Sequence, residues 1–517
     1  MSADVDYRGS FSLSAWLFLR LLGLCYFYAF ISSFAQVNGL FGSDGILPAQ
    51  LTLRDFHDKG GIDAWLIHPT LLWLDSSDCM LNFLTAGGAI LALFVLIGVC
   101  TGPALVLLFL FYLSLVAVGR VFLHFQWDHL LLEAGFLAIF FAPWAVVDAP
   151  FGRKGQPYSR MILFFLYWLL FRLMFLSGLV KIGSHSVTWR DMSAMRHYYE
   201  TQLLPNPVAW LAHQAPQWMQ YISTASTFVV ELLVPFLIFA PRKLRLVGAF
   251  ALLGLQLFIY VSGNHGFFNI LSAALCFLLI DDQILQKVFP QALSQRLLIE
   301  PEPTAEGKEF FALRWWKNFV ALPFDGKLRR SLSACFAVFL LLLTSTTFYS
   351  RAFEGSQIVE PFKGMANALR FYYISSPYGL YANVLPSRTE IIIEGSNDLV
   401  EWKPYSFKYK IGDLYRAPPV VEPFQPRLDW RMRFAVLAPL AKSPWFSNFA
   451  SKILAGSEDV LALMDKNPFP QEPPAFLRAS VYGYAFTSIG EKWQTGRWWR
   501  RDYAKPFMMP TETGGRD

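Results

Sequence analysis

Polar residues are scarce along the first two thirds of this chain, and they divide it into nine long apolar stretches. These run near 12–35, 82–100, 103–122, 130–147, 161–181, 223–240, 244–261, 266–280 and 331–348. A helix crossing the hydrocarbon of a bilayer needs about 20 mostly apolar residues, because no backbone N–H or C=O can be left unpaired there. The pattern therefore predicts a polytopic α-helical membrane protein with about nine transmembrane helices. The stretch at 266–280 is short enough to be re-entrant, so the count stays open by one. The first stretch lies between MSADVDYRGS and SSFAQ, but it is much longer than the roughly 7–15 apolar residues of a signal peptide. It is also preceded by Asp4 and Asp6, and is read as a retained span.

After residue 348 the pattern changes to short runs broken by proline. TEIIIEGSNDLVEW reads as a strand and a Gly-Ser-Asn-Asp turn, with a second strand in YSFKYK. The unbroken IIIEGS run suits a strand buried on both faces. APPVVEP and NPFPQEPP stop any long helix. The expected organisation is a transmembrane helical domain, 1–348, with outer loops 36–81 and 182–222. A β-rich extracytoplasmic C-terminal domain, 349–517, follows as a sandwich with a helix somewhere in 429–464.

Charge orients this arrangement. Only 16% of residues are charged, against roughly 25% in soluble domains, and 54% are apolar. Arg153, Lys154 and Arg160 occupy the 148–160 connector, and PRKLR follows residue 240. Lys287, Arg296, Lys308, Arg314, Lys317, Lys327, Arg329 and Arg330 fall in 281–330. SGNH (262–265) carries no Lys or Arg, and the long 182–222 loop only Arg190 and Arg196. Lys and Arg accumulate in cytoplasmic loops, so the N-terminus is expected inside and the C-terminus outside. The net charge of +6 then faces anionic membrane lipids, the expected partner. No basic–aromatic stripe tracks a nucleic acid, which excludes nucleic-acid binding.

The densest chemistry is RVFLHFQWDHLLLEAGFLAIFFAP (120–143). A helix continuing through it would align Arg120, His124 and Asp128, with His129 and Glu133 beside them. An ionisable group at the bilayer centre costs at least about 2.5–3.5 kcal/mol, so each needs a reason. Arg120, Gln126, Asp128 and Glu133, with Arg172, Lys181 and Glu231 of later spans, form a candidate intramembrane polar patch. It is either a proton-relay or substrate site, or an ion-pair network setting Asp128 and Glu133 against Arg172 and Lys181. Pro235 follows Glu231 by one turn, as a kinked cavity wall would have it. In the 182–222 loop, Trp189, Arg190, Asp191, Tyr199, Glu200 and Thr201, stiffened by Pro205 and Pro207, form a candidate outer surface or lid.

The eight histidines cluster in outer segments without HExxH or paired CxxC motifs, so no metal site and no cofactor is expected. Cys25, Cys100, Cys276 and Cys335 lie in or beside spans, Cys79 stands alone, and the tail has none. No N-x-[ST] acceptor occurs either, which favours a bacterial inner membrane over a eukaryotic secretory pathway. No nucleophile elbow, P-loop or Rossmann fingerprint is present. A transporter lacks support from inverted repeats or paired broken helices. The residues alone leave enzyme and chaperone open.

Many strings, in order from about residue 12 to 505, resemble the lipase maturation factor family. They include FQWDHLLLEAGFLAIFFAP (125–143), LFRLMFLSGLVKI (170–182), W-R-D followed by HYYETQLLPNPVAW (189–210) and ELLVPFLIFAPRKLR (231–245). SGNHGFFNILS (262–272), RTEIIIEG (388–395), PRLDWRMRFA (426–435), NPFP (467–470) and GRWWRRDY (496–503) continue the series. The resemblance implies a membrane-anchored factor that helps exported, lipase-like proteins fold and assemble, in animals from the endoplasmic reticulum membrane. Its implied partner is an exported hydrolase client, and it implies no catalytic residue. It also places family motifs on Arg388, Glu390, Arg427, Asp429 and Trp430, candidate surface residues of the C-terminal domain. His124 and His129 fall outside the motifs, and the missing outer cysteine pair argues against a redox role. LRLLGLCYFYAF…GLFGSDGILPA (19–49) and the D-x-x-x-x-E span are also similar to the membrane domain of vitamin K-dependent carboxylase. That likeness keeps open a membrane enzyme acting on a lipid or lipid-linked substrate.

Overall fold

A computed structural model describes residues 10–149, 158–298, 327–353 and 360–512. Asp4, Asp6, Arg153, Lys154, Lys308, Arg314 and Lys317 lie outside the described residues, as do the side chains of Lys327, Arg329 and Arg330.

In chain order the helices are α1 (Ser12–Phe34), α2 (Val37–Phe41), α3 (Ala49–Gly60), α4 (Ala64–Ile67), α5 (Asp78–Ile97), α6 (Thr101–Leu123) and α7 (Gln126–Phe141). They continue with α8 (Arg160–Gly183), α9 (Val187–Arg190), α10 (Ala194–Thr201), α11 (Pro207–His213), α12 (Gln217–Phe228), α13 (Arg242–Ser262) and α14 (Phe268–Phe277). Two short helices, Asp282–Leu285 and Gln291–Leu297, precede α15 (Lys327–Ala352). Among the described residues, seven helical segments are long and apolar enough to cross a membrane: α1, α5, α6, α8, Gln217–Phe239, α13 and α15. The stretches predicted at 130–147 and 266–280 form shorter helices, α7 with 16 residues and α14 with 10.

Local chemistry explains where several spans begin and end. The Ser77 and Ser159 hydroxyls accept from Met80 N and Ile162 N, capping α5 and α8. The cap of α1 comes from far along the chain: the Asp282 carboxylate accepts from Ser12 N at 2.9 Å and Leu13 N at 2.8 Å. Gly98, at φ +84°, closes α5 in a left-handed turn. In Gln217–Phe239 the α-helix passes into a π turn at Val229–Leu233, then a 3₁₀ run at Val234–Phe239. Pro235 lacks the N–H that an α-helix needs there, and Glu231 sits in the π turn.

The tail is β-rich. β1 (Arg388–Ser396), β2 (Lys403–Pro404), β3 (Ser406–Phe407), β4 (Met464–Lys466), β5 (Phe476–Phe486) and β6 (Trp499–Glu512) form antiparallel sheets. One has the order β2-β1-β5-β6 and the other pairs β3 with β4. β1 pairs with β5 along its whole length, from Arg388↔Tyr484 to Ser396↔Phe476. Ile391, Ile392 and Ile393 are all buried, as the unbroken apolar run predicts. Helices α16 (Arg427–Ala435), α17 (Pro444–Leu454) and α18 (Glu458–Leu461) occupy the window expected to be helical. Tail and spans share one continuous apolar core, running from Phe11 to Met508 of β6.

Close helix packing rests on small residues. A Cβ on Gly88 of α5 would meet the Phe30 ring of α1 at 2.4 Å, whereas Gly254 of α13 has open space around it. Gly88→Leu is therefore expected to destabilise the protein by roughly 1–3 kcal/mol. Gly254→Leu should leave the thermal midpoint in detergent unchanged, and a scan of both variants checks the contrast.

Candidate functional site

The polar patch begins at an interruption in the helix. α6 ends at Leu123 and α7 starts at Gln126, with Phe125 extended between them and Arg120 at φ +39°. Arg120, His124 and Asp128 therefore do not share the helical stripe expected from their spacing. Arg120 turns away to Asp55 on α3, at 2.6 Å. The restart aims Asp128 back at the interruption, where its carboxylate accepts from Phe125 N at 3.3 Å.

Each remaining charge of the patch is paired, and each pair leads to the tail. Arg427 of α16 donates two parallel bonds to Asp128, at 2.8 and 2.7 Å, and Tyr112 adds its hydroxyl at 2.5 Å. The Asp128 and Arg427 side chains are 0% and 1% exposed. This corrects the expectation that Asp128 faces Arg172 or Lys181: its partner comes from the C-terminal region. Glu133 pairs with Arg172 as expected, and also accepts from Tyr378 Oη at 2.8 Å and Ser376 N at 3.0 Å. Lys181 bonds Glu231 at 2.5 Å and the Leu380 carbonyl at 3.2 Å. Gln126 exchanges two bonds with the backbone of Gly379, at 2.9 and 3.1 Å. Arg172 keeps Nε and Nη1 without a partner among the described residues, while segment 376–380 lies across the patch and bonds Glu133, Lys181 and Gln126. Ion pairs removed from water persist only when satisfied in this way.

The residues expected at the tail surface are also internal. Arg388, Glu390, Arg427, Asp429 and Trp430 are all buried, a correction to their placement at an outer face. Arg388 reaches the 182–222 loop, donating to the carbonyls of Glu200 (2.9 Å), Gln202 (2.5 Å) and Leu203 (3.1 Å), and to Glu390 at 2.6 Å. Glu390 also pairs with Lys410 at 3.1 Å. Asp429 accepts from Tyr409 N and Lys410 N, and burial pushes its carboxyl up to about 6. The Trp430 ring packs 4.8 Å from Trp127.

The outer-loop candidates divide in two. Trp189 and Tyr199 are buried, with Trp189 Nε1 donating to the Tyr381 carbonyl at 3.0 Å. Glu200 accepts from Phe486 N at 3.1 Å, and the Thr201 hydroxyl donates to the His197 carbonyl at 2.9 Å. Pro205 is buried, and Pro207 opens α11 behind the Asn206 cap. Only Arg190 and Asp191 of this group are exposed.

Two joints escaped the sequence reading. Asn264 uses its whole amide on both regions, donating to the Leu204 (3.0 Å) and Pro419 (2.8 Å) carbonyls and accepting from Val421 N (2.8 Å) and Glu422 N (3.3 Å). Beside it, Glu422 accepts from His265 N, and His265 Nε2 meets the Tyr381 hydroxyl. Burial pushes the Glu422 carboxyl up to about 9 and the His265 imidazole down to about 4, so neither is charged at neutral pH. The SGNHG string was the available signal, but its tail partners Tyr381, Pro419, Val421 and Glu422 lie more than a hundred residues away. Among the described residues, no group of three or more His, Cys, Asp or Glu could share a metal ion.

Residues 13–287 match the lipase maturation factor transmembrane domain, and residues 374–510 the lipase maturation factor C-terminal domain. The chain belongs to the lipase maturation factor family. It is 36% identical to lipase maturation factor 2 of Gallus gallus, over 96% of this chain and 81% of the relative. The Homo sapiens lipase maturation factor 2 is 35% identical over 96% and 82%. Lipase maturation factor 1 of Mus musculus is 34% identical over 98% and 88%. No solved structure matches. In this family member, an integral membrane protein, the two matched regions meet at the Asp128–Arg427 pair and at segment 376–380.

Losing one partner of such a buried pair is expected to cost about 3–5 kcal/mol. Arg427→Met should lower the thermal midpoint and open the tail to protease, while Asp128→Leu with Arg427→Met should recover most of the loss. A single variant as stable as the parent would show that the tail is anchored elsewhere. Glu422 supplies a pH test. Its carboxyl rises from an ordinary 4.5 to about 9 on folding, so its stabilising contribution is full at low pH and lost as pH climbs toward 9. Glu422→Gln should flatten the fall in thermal midpoint measured between about pH 6 and 9.

Proposed function

We propose that this chain is a membrane-anchored maturation factor that assists the folding or assembly of exported, lipase-like proteins. The reading takes residues 1–348 as the anchor and 349–517 as an outer working region, with the N-terminus cytoplasmic and the C-terminus extracytoplasmic. One observation carries it: Asp128, Glu133 and Lys181, the charges that would serve a reaction chamber, each bond a group of the tail. The names of the relatives, lipase maturation factor 1 and 2, support the same reading, as do the basic connectors for its orientation.

A client meets what remains exposed. β6 forms one edge of the four-stranded sheet, and an unpaired edge offers N–H and C=O groups to an extended partner. Near its start, Trp493 is 86% exposed. Arg190 and Asp191 add two exposed charged residues of the 182–222 loop. An alternative role as an enzyme acting on a lipid-linked substrate assigns Asp128, Glu133 and Lys181 to catalysis, and each of them is already fully engaged.

Crosslinking in native membranes should recover an exported hydrolase, and Trp493→Ala should reduce both that recovery and the hydrolase's secreted activity by about ten-fold without moving the thermal midpoint. Recovery of no exported partner overturns the reading. Loss of activity in Asp128→Asn or Glu133→Gln, with the tail still protected from protease, favours the enzyme instead.

A further inference from the structure

A cavity of about 600 Å³ opens where the outer end of α6 meets α3 and the tail, apart from the anchored patch. Its walls are of two kinds. Val121, Phe371 and Phe434 present apolar surface, while Arg120, Arg431 and His68 present nitrogen, and no acidic side chain lines it. Arg120 gives one guanidinium nitrogen to Asp55, which Lys59 shares at 2.6 Å. Arg431 pairs with no carboxylate among the described residues, and its Nε is buried without a hydrogen-bond partner. Its guanidinium lies 5.9 Å from the Phe434 ring and 5.7 Å from the Trp445 ring. A cation held against aromatic walls without a counter-charge is an unfilled requirement for an anion.

Backbone strain marks the same place. Arg120 adopts φ +39° and ψ −123°, and Tyr373, also in the lining, adopts φ +52°. Side-chain-bearing residues rarely hold such angles, and those that do gather at binding sites. Exposed apolar side chains stand near the cavity. Ile62 and Leu66, 87% and 69% exposed, project from the α3–α4 segment, and Tyr372 Oη holds the Leu66 carbonyl at 3.0 Å. An apolar projection at the end of a span suits the headgroup level of a bilayer.

We propose that this cavity binds an anionic amphiphile, with its phosphate or carboxylate held by Arg120 and Arg431 and its hydrocarbon lying along Val121, Phe371 and Phe434. Guanidinium groups match either head, since both offer two oxygens in a plane. In the lining the Tyr373 hydroxyl and the His124 ring hydrogen-bond each other at 3.1 Å. They are assigned no chemistry: the amphiphile is a ligand, and no bond is made or broken.

The full chain in phosphatidylcholine nanodiscs supplies the test, with native mass spectrometry as the readout. In one arm the disc contains phosphatidylglycerol, and in the other oleate is added from solution. Retention of phosphatidylglycerol alone identifies a membrane headgroup as the source, and retention of oleate alone a free carboxylate. Arg120→Gln and Arg431→Gln should each weaken retention by about ten-fold. Lys403→Gln, on the exposed sheet edge, should not change it. If Arg431→Gln fails to insert, Val121→Trp fills the cavity without altering charge and carries the same expectation. Retention of neither probe above phosphatidylcholine, or retention undiminished in the variants, overturns the proposal.

Discussion

The carboxylate of Asp128 and the guanidinium of Arg427 are on two parts of the chain 299 residues apart, and the architecture depends on their meeting. Taking both charges out of water carries a desolvation penalty that only a complete set of partners offsets. Here the set is complete for the carboxylate: two parallel bonds from Arg427, one from Tyr112 and one from the backbone of Phe125. Few alternative arrangements would satisfy it, so the pair fixes one docking register for the tail. The Glu133–Arg172 and Lys181–Glu231 pairs lie along segment 376–380, whose backbone groups add bonds to Glu133 and Lys181.

Around these polar joints the apolar core is continuous. Trp430 packs on Trp127 next to the Asp128 pair, and the Phe122 ring lies 5.5 Å from Trp445 of α17. Burial supplies the affinity between span ends and tail, while the ion pairs supply its geometry. The result resembles a single folded unit more than a membrane anchor joined to a tethered domain. A β-rich unit held this way presents its free edge in a defined direction.

Much of the fold was legible because the bilayer imposes hard rules. Apolar length found the spans, and Pro235 foretold the irregular turn at Glu231. The Glu133–Arg172 pair followed from the need of any charge within a span to be neutralised. Asp128 was misassigned because its partner belongs to PRLDWRMRFA, a motif of the C-terminal region expected at that domain's surface. A pattern of polar residues cannot distinguish a surface from an interior interface that is itself polar. The break between Leu123 and Gln126 was equally hidden, since neither Gly nor Pro marks it. Tertiary contacts at His124, with the Tyr373 hydroxyl 3.1 Å away, supply what local sequence did not.

The order in which the chain is made gives segment 376–380 a further significance. Residues 126–231 enter the membrane before the ribosome has produced the groups that neutralise Asp128 and complete the shells of Glu133 and Lys181. Until then those charges are incompletely satisfied in a medium that penalises them. Synthesis of the tail therefore completes the spans retroactively, so a premature stop anywhere before Arg427 damages the membrane region as well as the part that is missing.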